Sequence, residues 1–323
     1  ALVLLIGLLA GGPIALVWAW WREARRGLPL WRRSVRVVWR VAVTALILYV
    51  WFVVLWGAGY ARPPAEVRLA LDPAQLSAEQ RTTLQARLLQ TIEVNAPAPG
   101  TRDVDGAIAA IAEAMVPVVA AWDGRPIRLP RRVKATPPGF LLIQASGGVC
   151  SPFTLERHVD GAYPPTVFVY VAAHELGHVA GFNAEAEATL AGFVAGLRAD
   201  HPYARYAVAL DAYLDVVRVL PMPAQQRALA RLPQAAKADL AAARKVRNRY
   251  RNRTVQATQR RVYNQYLKAQ GIQEGVANYA RGIRLFAQVW RDGVIDLPGL
   301  EPAPGGQPSG ARAGGQAAQP FPR

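Results

Sequence analysis

With 323 residues the chain has room for one large domain or two smaller ones and ample material for a hydrophobic core. Just over half of it is apolar (52%), and the excess is concentrated in the first sixty positions, which excludes an evenly patterned soluble protein and points to a membrane segment. The net charge of +16 does not make a nucleic-acid binder, because +6 of it sits in residues 21–40, and the single Cys150 excludes an intrachain disulfide framework.

Residues 1–20 carry no charge and end in Trp20-Trp21, the aromatic pair expected where a spanning helix meets the headgroup layer. Arg22, Arg25, Arg26, Arg32, Arg33, Arg36 and Arg40 follow against a lone Glu23, and are read as a short cytoplasmic loop by the positive-inside rule. Residues 41–60 are again charge-free and finish with Trp56 and Tyr60. Two spans with their loop inside place everything after Tyr60 on the periplasmic or extracellular side. The expected domains are thus a transmembrane hairpin over 1–60, a globular domain over 61–297 and a disordered Pro/Gly/Ala/Gln tail over 298–323.

Arg62-Pro63-Pro64 breaks the second span. Leucines 71, 76, 84, 88 and 89 give residues 72–93 one apolar face, with Asp72-Pro73 as the predicted cap and first turn. A second helix is predicted over 104–121. Between 126 and 159 the pattern changes to short β-like runs at 127–129, 140–143 and 150–159, separated by Pro-Pro-Gly and Gly-Gly turns. Such a sheet either offers an edge to an extended substrate or is a structural hairpin.

Pro164-Pro165-Thr166 opens the next helix, with Thr166 as the expected N-cap, and this helix carries His174-Glu175-Leu176-Gly177-His178. Residues four apart share a helix face, so His174 and His178 can close on one metal ion, with Glu175 between them as the candidate general base. Gly181 ends the helix, and Asn183 is expected to cap a following one over 184–199. That helix offers two acids, Glu185 and Glu187, whose side chains point about 200° apart, so one of them reaches the metal. Glu185 borders the small residues Thr189, Gly192 and Gly196, which let two helices press together, and is favoured as the third ligand; Glu187 borders a large apolar face and is the alternative. Helices continue over 203–220, 224–270 and 273–291. Their Arg run at 244–261 reads as a solvated face, with a nucleic-acid or anionic-lipid surface as the rival reading.

Several separated stretches resemble one family. Trp56-Gly57-Ala58-Gly59-Tyr60-Ala61-Arg62-Pro63-Pro64 is similar to the W-G-x-x-Y-x-R-P-P signature of the bacterial membrane family known as domain of unknown function 3810. Pro152-Phe153-Thr154 with Glu156 resembles its P-F-T-x-E. The block from His174 to Phe182, followed by Glu185-Ala186-Glu187-Ala188-Thr189, resembles its H-E-x-x-H-x-x-G-F segment and acidic motif, and Tyr266-Leu267-Lys268 with Gly271, Gly275 and Tyr279 its ending. That family resembles membrane-anchored zinc peptidases. The resemblance implies an α+β, mainly helical zincin-like domain with a small sheet before the H-E-x-x-H helix. It also implies a Zn2+ cofactor on His174, His178 and one acid, again favouring Glu185, but it supplies no substrate; a peptide or protein substrate is expected from the mechanism, in which Glu175 takes the proton of a zinc-bound water that attacks a peptide carbonyl. Membrane lipids are the other expected partner and nucleic acid is not. Thr189 stands where the family tends to have Asn and can still accept a hydrogen bond from a ligand imidazole. Tyr279 or His158 is the candidate second electrophile. Two other readings stay open: a metal-binding relative without catalysis, acting as sensor or scaffold, and an envelope- or anionic-lipid-binding protein with a structural metal site.

Overall fold

The computed structural model describes residues 12–25, 27, 29–98, 100–269, 278–294, 297, 298 and 300. The first eleven residues of the expected first span, Gly271, Gly275 and the tail from 301 lie outside that set. The chain is mostly helical, with a small mixed three-stranded sheet, and it divides into two compact units.

The first unit takes residues 1–62 with 150–156. Its helices are α1 (Gly12–Arg25) and α2 (Leu30–Leu55). The Arg-rich stretch expected as a loop is therefore helical almost throughout: Arg22 and Arg25 close α1, and Arg32, Arg33, Arg36 and Arg40 form the first turns of α2. Arg is a good helix former, and among the described residues Gly27, at φ +70°, and Pro29, the N-cap of α2, break the run. Glu23 pins the two helices, accepting from Arg36 (2.9 Å) and Arg40 (2.8 Å) with its carboxylate fully buried. Beyond Leu55 the chain tightens into a 3-10 turn, Gly57–Ala61, so the helix stops short of the expected residue 60. Phe153, from the Pro-Phe-Thr stretch, lies edge-on to Trp51 at 6.2 Å.

Among the described residues two helices are long and apolar enough to cross a membrane, α2 and α4 (Val104–Asp123). They differ in packing. No residue of α2 is buried, whereas α4 buries Ile108, Ile111, Met115, Val118 and Val119 in the core of the second unit. Asp103 caps α4 by accepting from Gly106 N–H, and left-handed Gly124 ends it.

The second unit takes residues 63–149 and 157–323. After a helical turn at Ala65–Arg68 comes α3 (Ala78–Val94). It starts six residues later than Asp72, because Ser77 and Gln80 exchange side-chain-to-backbone hydrogen bonds in a capping box, while the Asp72 carboxylate accepts from Ala74 in a local turn and the Asp72 carbonyl accepts from Gln288 and Arg291.

The sheet also differs from expectation. Its strands are β1 (Lys134–Thr136), β2 (Gly148–Cys150) and β3 (Arg157–Asp160), in the order β1-β3-β2, with β1 parallel to β3. Residues 127–129 are not a strand, and 140–143 fold into a turn. Asp160 explains the turn: its carboxylate accepts from the backbone N–H groups of Gly139 (2.7 Å), Leu141 (2.8 Å), Leu142 (3.1 Å) and Ala162 (2.9 Å), which takes those donors from any ladder.

Seven further helices are described: α5 (Pro165–Val179), α6 (Glu185–Arg198), α7 (Pro202–Arg218) and α11 (Asn278–Arg291) share one core with α3 and α4, and α8 (Met222–Ala230), α9 (Gln234–Arg249) and α10 (Arg253–Ala269) lie between α7 and α11 in the chain. The central element is α6. It packs on α4, α5, α7 and α11 and is buried nearly all round, which its Ala, Gly, Leu and Val composition permits. Leu190, Phe193, Val194 and Leu197 each contribute about 1.5–3 kcal/mol by burial. Thr166 does not cap α5. The N-cap is Pro164, and the Thr166 hydroxyl donates to Asp239 of α9 (2.8 Å), which also accepts from Tyr206 and Arg102. Asn183 is likewise not the cap of α6, which begins after Ala184. The basic residues Arg244, Lys245, Arg247, Arg249 and Arg251 lie exposed on and just after α9.

Candidate metal centre

Helices α5 and α6 meet at very short range. A Cβ on Gly177 would lie 2.6 Å from the Ala188 carbonyl oxygen, and one on Gly192 would lie 3.0 Å from the Ala173 backbone. The expected small-residue face of α6 is real up to Gly192, but Gly196 faces Val208 of α7 instead. The tight crossing brings together three side chains that the sequence separates by eleven positions.

His174 and His178, one turn apart on α5, stand with rings 4.8 Å apart and nearly perpendicular. Their Nε2 atoms converge on Oε2 of Glu185, at 3.0 Å and 3.5 Å. The opposite ring nitrogens are held from behind: Nδ1 of His178 donates to the Phe182 carbonyl (2.9 Å), and Nδ1 of His174 is 3.1 Å from the Thr189 hydroxyl. Gly181, at φ +95°, turns the chain so that the Phe182 carbonyl reaches back to α5. Glu185 is the first residue of α6, where the positive end of the helix dipole favours a carboxylate. Among the described residues this is the group of His, Cys, Asp and Glu side chains whose donor atoms converge, all within 4.8 Å of one another.

The electrostatics follow from burial. Burial opposes charge on Glu185, but His178 and His174 outweigh it and hold the carboxyl well below its usual range. Burial likewise opposes a charged His178, and the Glu185 carboxylate reverses this, pushing its pKa up to about 9. Glu175 behaves differently. Desolvation dominates there and pushes its pKa up to about 7, with His174 and His178 opposing and Glu185 reinforcing the rise. Its Oε2 is buried with no hydrogen-bond partner among the described residues, and Gly148 of β2 crowds the other oxygen, since a Cβ there would lie 2.4 Å from Oε1.

Glu187 turns away from this group. Its oxygens accept from the Ala65 N–H (2.8 Å) and from Arg68 (2.5 Å). His158 lies buried on β3 in register with Lys134, on the sheet face it shares with Asp160. The side chains of Tyr279 and Tyr266 lie outside the described residues. The sequence reading missed Gly282 of α11, where a Cβ would lie 2.7 Å from Thr189; that close approach backs the residue behind His174, and a glycine in an amphipathic helix was its available signal. It also missed Gly148, whose signal was the Gly147-Gly148 pair.

The donor set is one that could hold a metal ion. Two imidazoles and one carboxylate with metal–ligand bonds of 2.0–2.1 Å require tetrahedral donor pairs about 3.4 Å apart, and the two Nε2 to Oε2 separations bracket that value. No curated protein and no solved structure matches the chain. One family model does, described as protein of unknown function (DUF3810) and covering residues 1–287, and the chain belongs to that family.

Proposed function

We propose that this protein is a zinc-dependent metallopeptidase anchored to a membrane through α2, with its catalytic domain outside the cytoplasm. His174, His178 and Glu185 would hold the metal, and Glu175 is the general base. The observation that carries the reading is the convergence of two Nε2 atoms and one carboxylate oxygen beside a second, buried carboxylate, one oxygen of which has no hydrogen-bond partner among the described residues.

When bound, zinc supplies Lewis acidity toward a carbonyl oxygen and lowers the pKa of a water molecule. The protein's own groups do the rest. Oε2 of Glu175, buried and near neutral in affinity for a proton, accepts one from the attacking water and returns it to the leaving nitrogen. Phe182 and Thr189 hold the imidazoles so that Nε2, not Nδ1, faces the centre. The Gly148 backbone closes over Glu175 and excludes side chains from that edge. An extended peptide laid beside β2 would present its backbone to the same carboxylate, which favours a peptide substrate.

Zinc content and hydrolysis of a quenched fluorescent peptide library, compared between wild type and Glu175→Gln, test the reading. One zinc per chain in both proteins with hydrolysis in wild type alone is the expected result. Equal hydrolysis in the two would remove Glu175 as the base, and zinc in neither would end the proposal.

A further inference from the structure

The turn Ala65–Arg68, just after Pro63-Pro64, reaches the metal centre from a distant part of the sequence. Arg68 donates to Glu187 (2.5 Å) and to Asp123 at the end of α4 (2.5 Å). Asp123 also accepts from Arg125 (2.9 Å), which donates in turn to the Ala180 carbonyl (3.0 Å) at the end of the histidine helix. The Arg68 guanidinium lies 5.8 Å from the centre of the Phe182 ring, and Trp122 meets that ring edge-on at 5.6 Å. Phe182 is the residue whose carbonyl holds His178. The Ala65 N–H completes the grip on Glu187. Residues 180–187, the connection between the two ligand-bearing helices, are thus clamped at both ends.

The same turn touches the other imidazole's support. Glu66 accepts two hydrogen bonds from Arg281 of α11 (2.7 and 2.5 Å). The next residue, Gly282, abuts Thr189, which faces Nδ1 of His174.

These are not loose surface pairs. The Arg68, Asp123 and Glu187 side chains are 12%, 4% and 13% exposed. In such places a planar guanidinium bridging two carboxylates fixes geometry in a way a Lys ammonium cannot.

We infer that Arg68 and Glu187 are positioning residues, through which the turn Ala65–Arg68 sets the placement of Glu185 and of the carbonyl behind His178. This rests on the metal-site reading above. Neither residue touches the metal. Their effect is on how well the three ligands match its geometry.

The test uses full-length protein in detergent, with zinc alone as the probe. Zinc Kd is measured by chelator competition for wild type, Arg68→Met, Arg68→Lys and Glu187→Gln, beside the absorption spectrum of each Co2+-loaded protein and the melting temperature of each metal-free one. Asp239→Asn, which weakens a buried hydrogen-bond hub on α9, is the stability control. Arg68→Met and Glu187→Gln should weaken zinc binding about 10–100-fold at unchanged stoichiometry, with an altered cobalt spectrum and partial recovery in Arg68→Lys. Asp239→Asn should melt earlier yet keep wild-type affinity and spectrum. Should Arg68→Met not fold, the two conservative variants decide. Wild-type zinc affinity and cobalt spectrum in every folded variant would overturn the inference and leave the metal site standing, whereas no zinc in wild type would mean that the metal site itself is wrong.

Discussion

Gly148→Ala isolates Glu175 from the metal ligands. The added methyl would lie 2.4 Å from Oε1 and 2.9 Å from Cδ and Cγ of Glu175, where ordinary contact begins near 3.4 Å, so one partner must give way by about 1 Å. β2 is a ladder strand, and the Gly148 carbonyl also accepts from the Ser146 hydroxyl (2.5 Å), so the carboxylate moves more readily than the strand. A reacting group misplaced by about 1 Å costs on the order of 100-fold in rate. Overpacking of a buried site costs about 1–3 kcal/mol, or roughly 2–10 °C of melting temperature for a domain of this size. The three atoms nearest the added methyl all belong to Glu175 and none to His174, His178 or Glu185, so zinc affinity should stay within about threefold of wild type, a shift under 1 kcal/mol. Peptide hydrolysis, zinc competition and thermal melting on the same preparation measure all three quantities. Wild-type hydrolysis in Gly148→Ala would refute the placement of the base beside β2. Lost zinc at intact fold would refute the claim that base and ligands are separately held.

Other substitutions probe the remaining supports. Thr189→Val keeps the shape packed on Gly282 but removes the hydroxyl behind His174, so zinc should bind about 10–100-fold more weakly; an unchanged Kd would show that the hydroxyl orients nothing. Asp160→Ala strips four backbone donors of their acceptor and should lower unfolding free energy by about 3 kcal/mol or more in urea titration, and a loss below about 1 kcal/mol would contradict that role. Burial and the neighbouring Asp215 push the pKa of Asp211 up to about 8, while Arg218 opposes the rise. The unfolded chain releases that proton near pH 4 and the folded chain near pH 8, so this group erodes stability as pH rises between those values. Asp211→Asn should therefore melt higher than wild type, by an amount that grows from pH 5 to pH 8. A flat difference across that range would be inconsistent with the shift.

What the sequence made legible was local. The i, i+4 spacing placed both histidines on one face, the glycine at 181 marked the helix end, and the small residues on α6 favoured Glu185 through close packing. Each depends on contacts within about twenty residues. The rest depended on partners far along the chain. The role of Glu187 is set by Ala65 and Arg68, more than a hundred residues earlier, and periodicity on α6 carries no trace of them. The three-residue strands were missed because they are defined by pairing across the sheet and by where Asp160 takes its donors, not by apolar alternation. The Arg-rich stretch was read as a loop through the positive-inside rule, which concerns the side of the membrane and carries no information on secondary structure, whereas Arg extends helices well.

The approach of Gly282 to Thr189 and of Arg281 to Glu66 also bears on biosynthesis. The helix that carries Glu185 is covered on one side by the last described helix of the chain, so the centre cannot be complete until residue 282 and its neighbours have left the ribosome. A nascent chain released only as far as α10 would expose the apolar flank of α6 and lack the backing for His174. On the metal-site reading, metal would therefore be captured only once α11 has docked on α6, and a product cut before α11 should lack a competent centre.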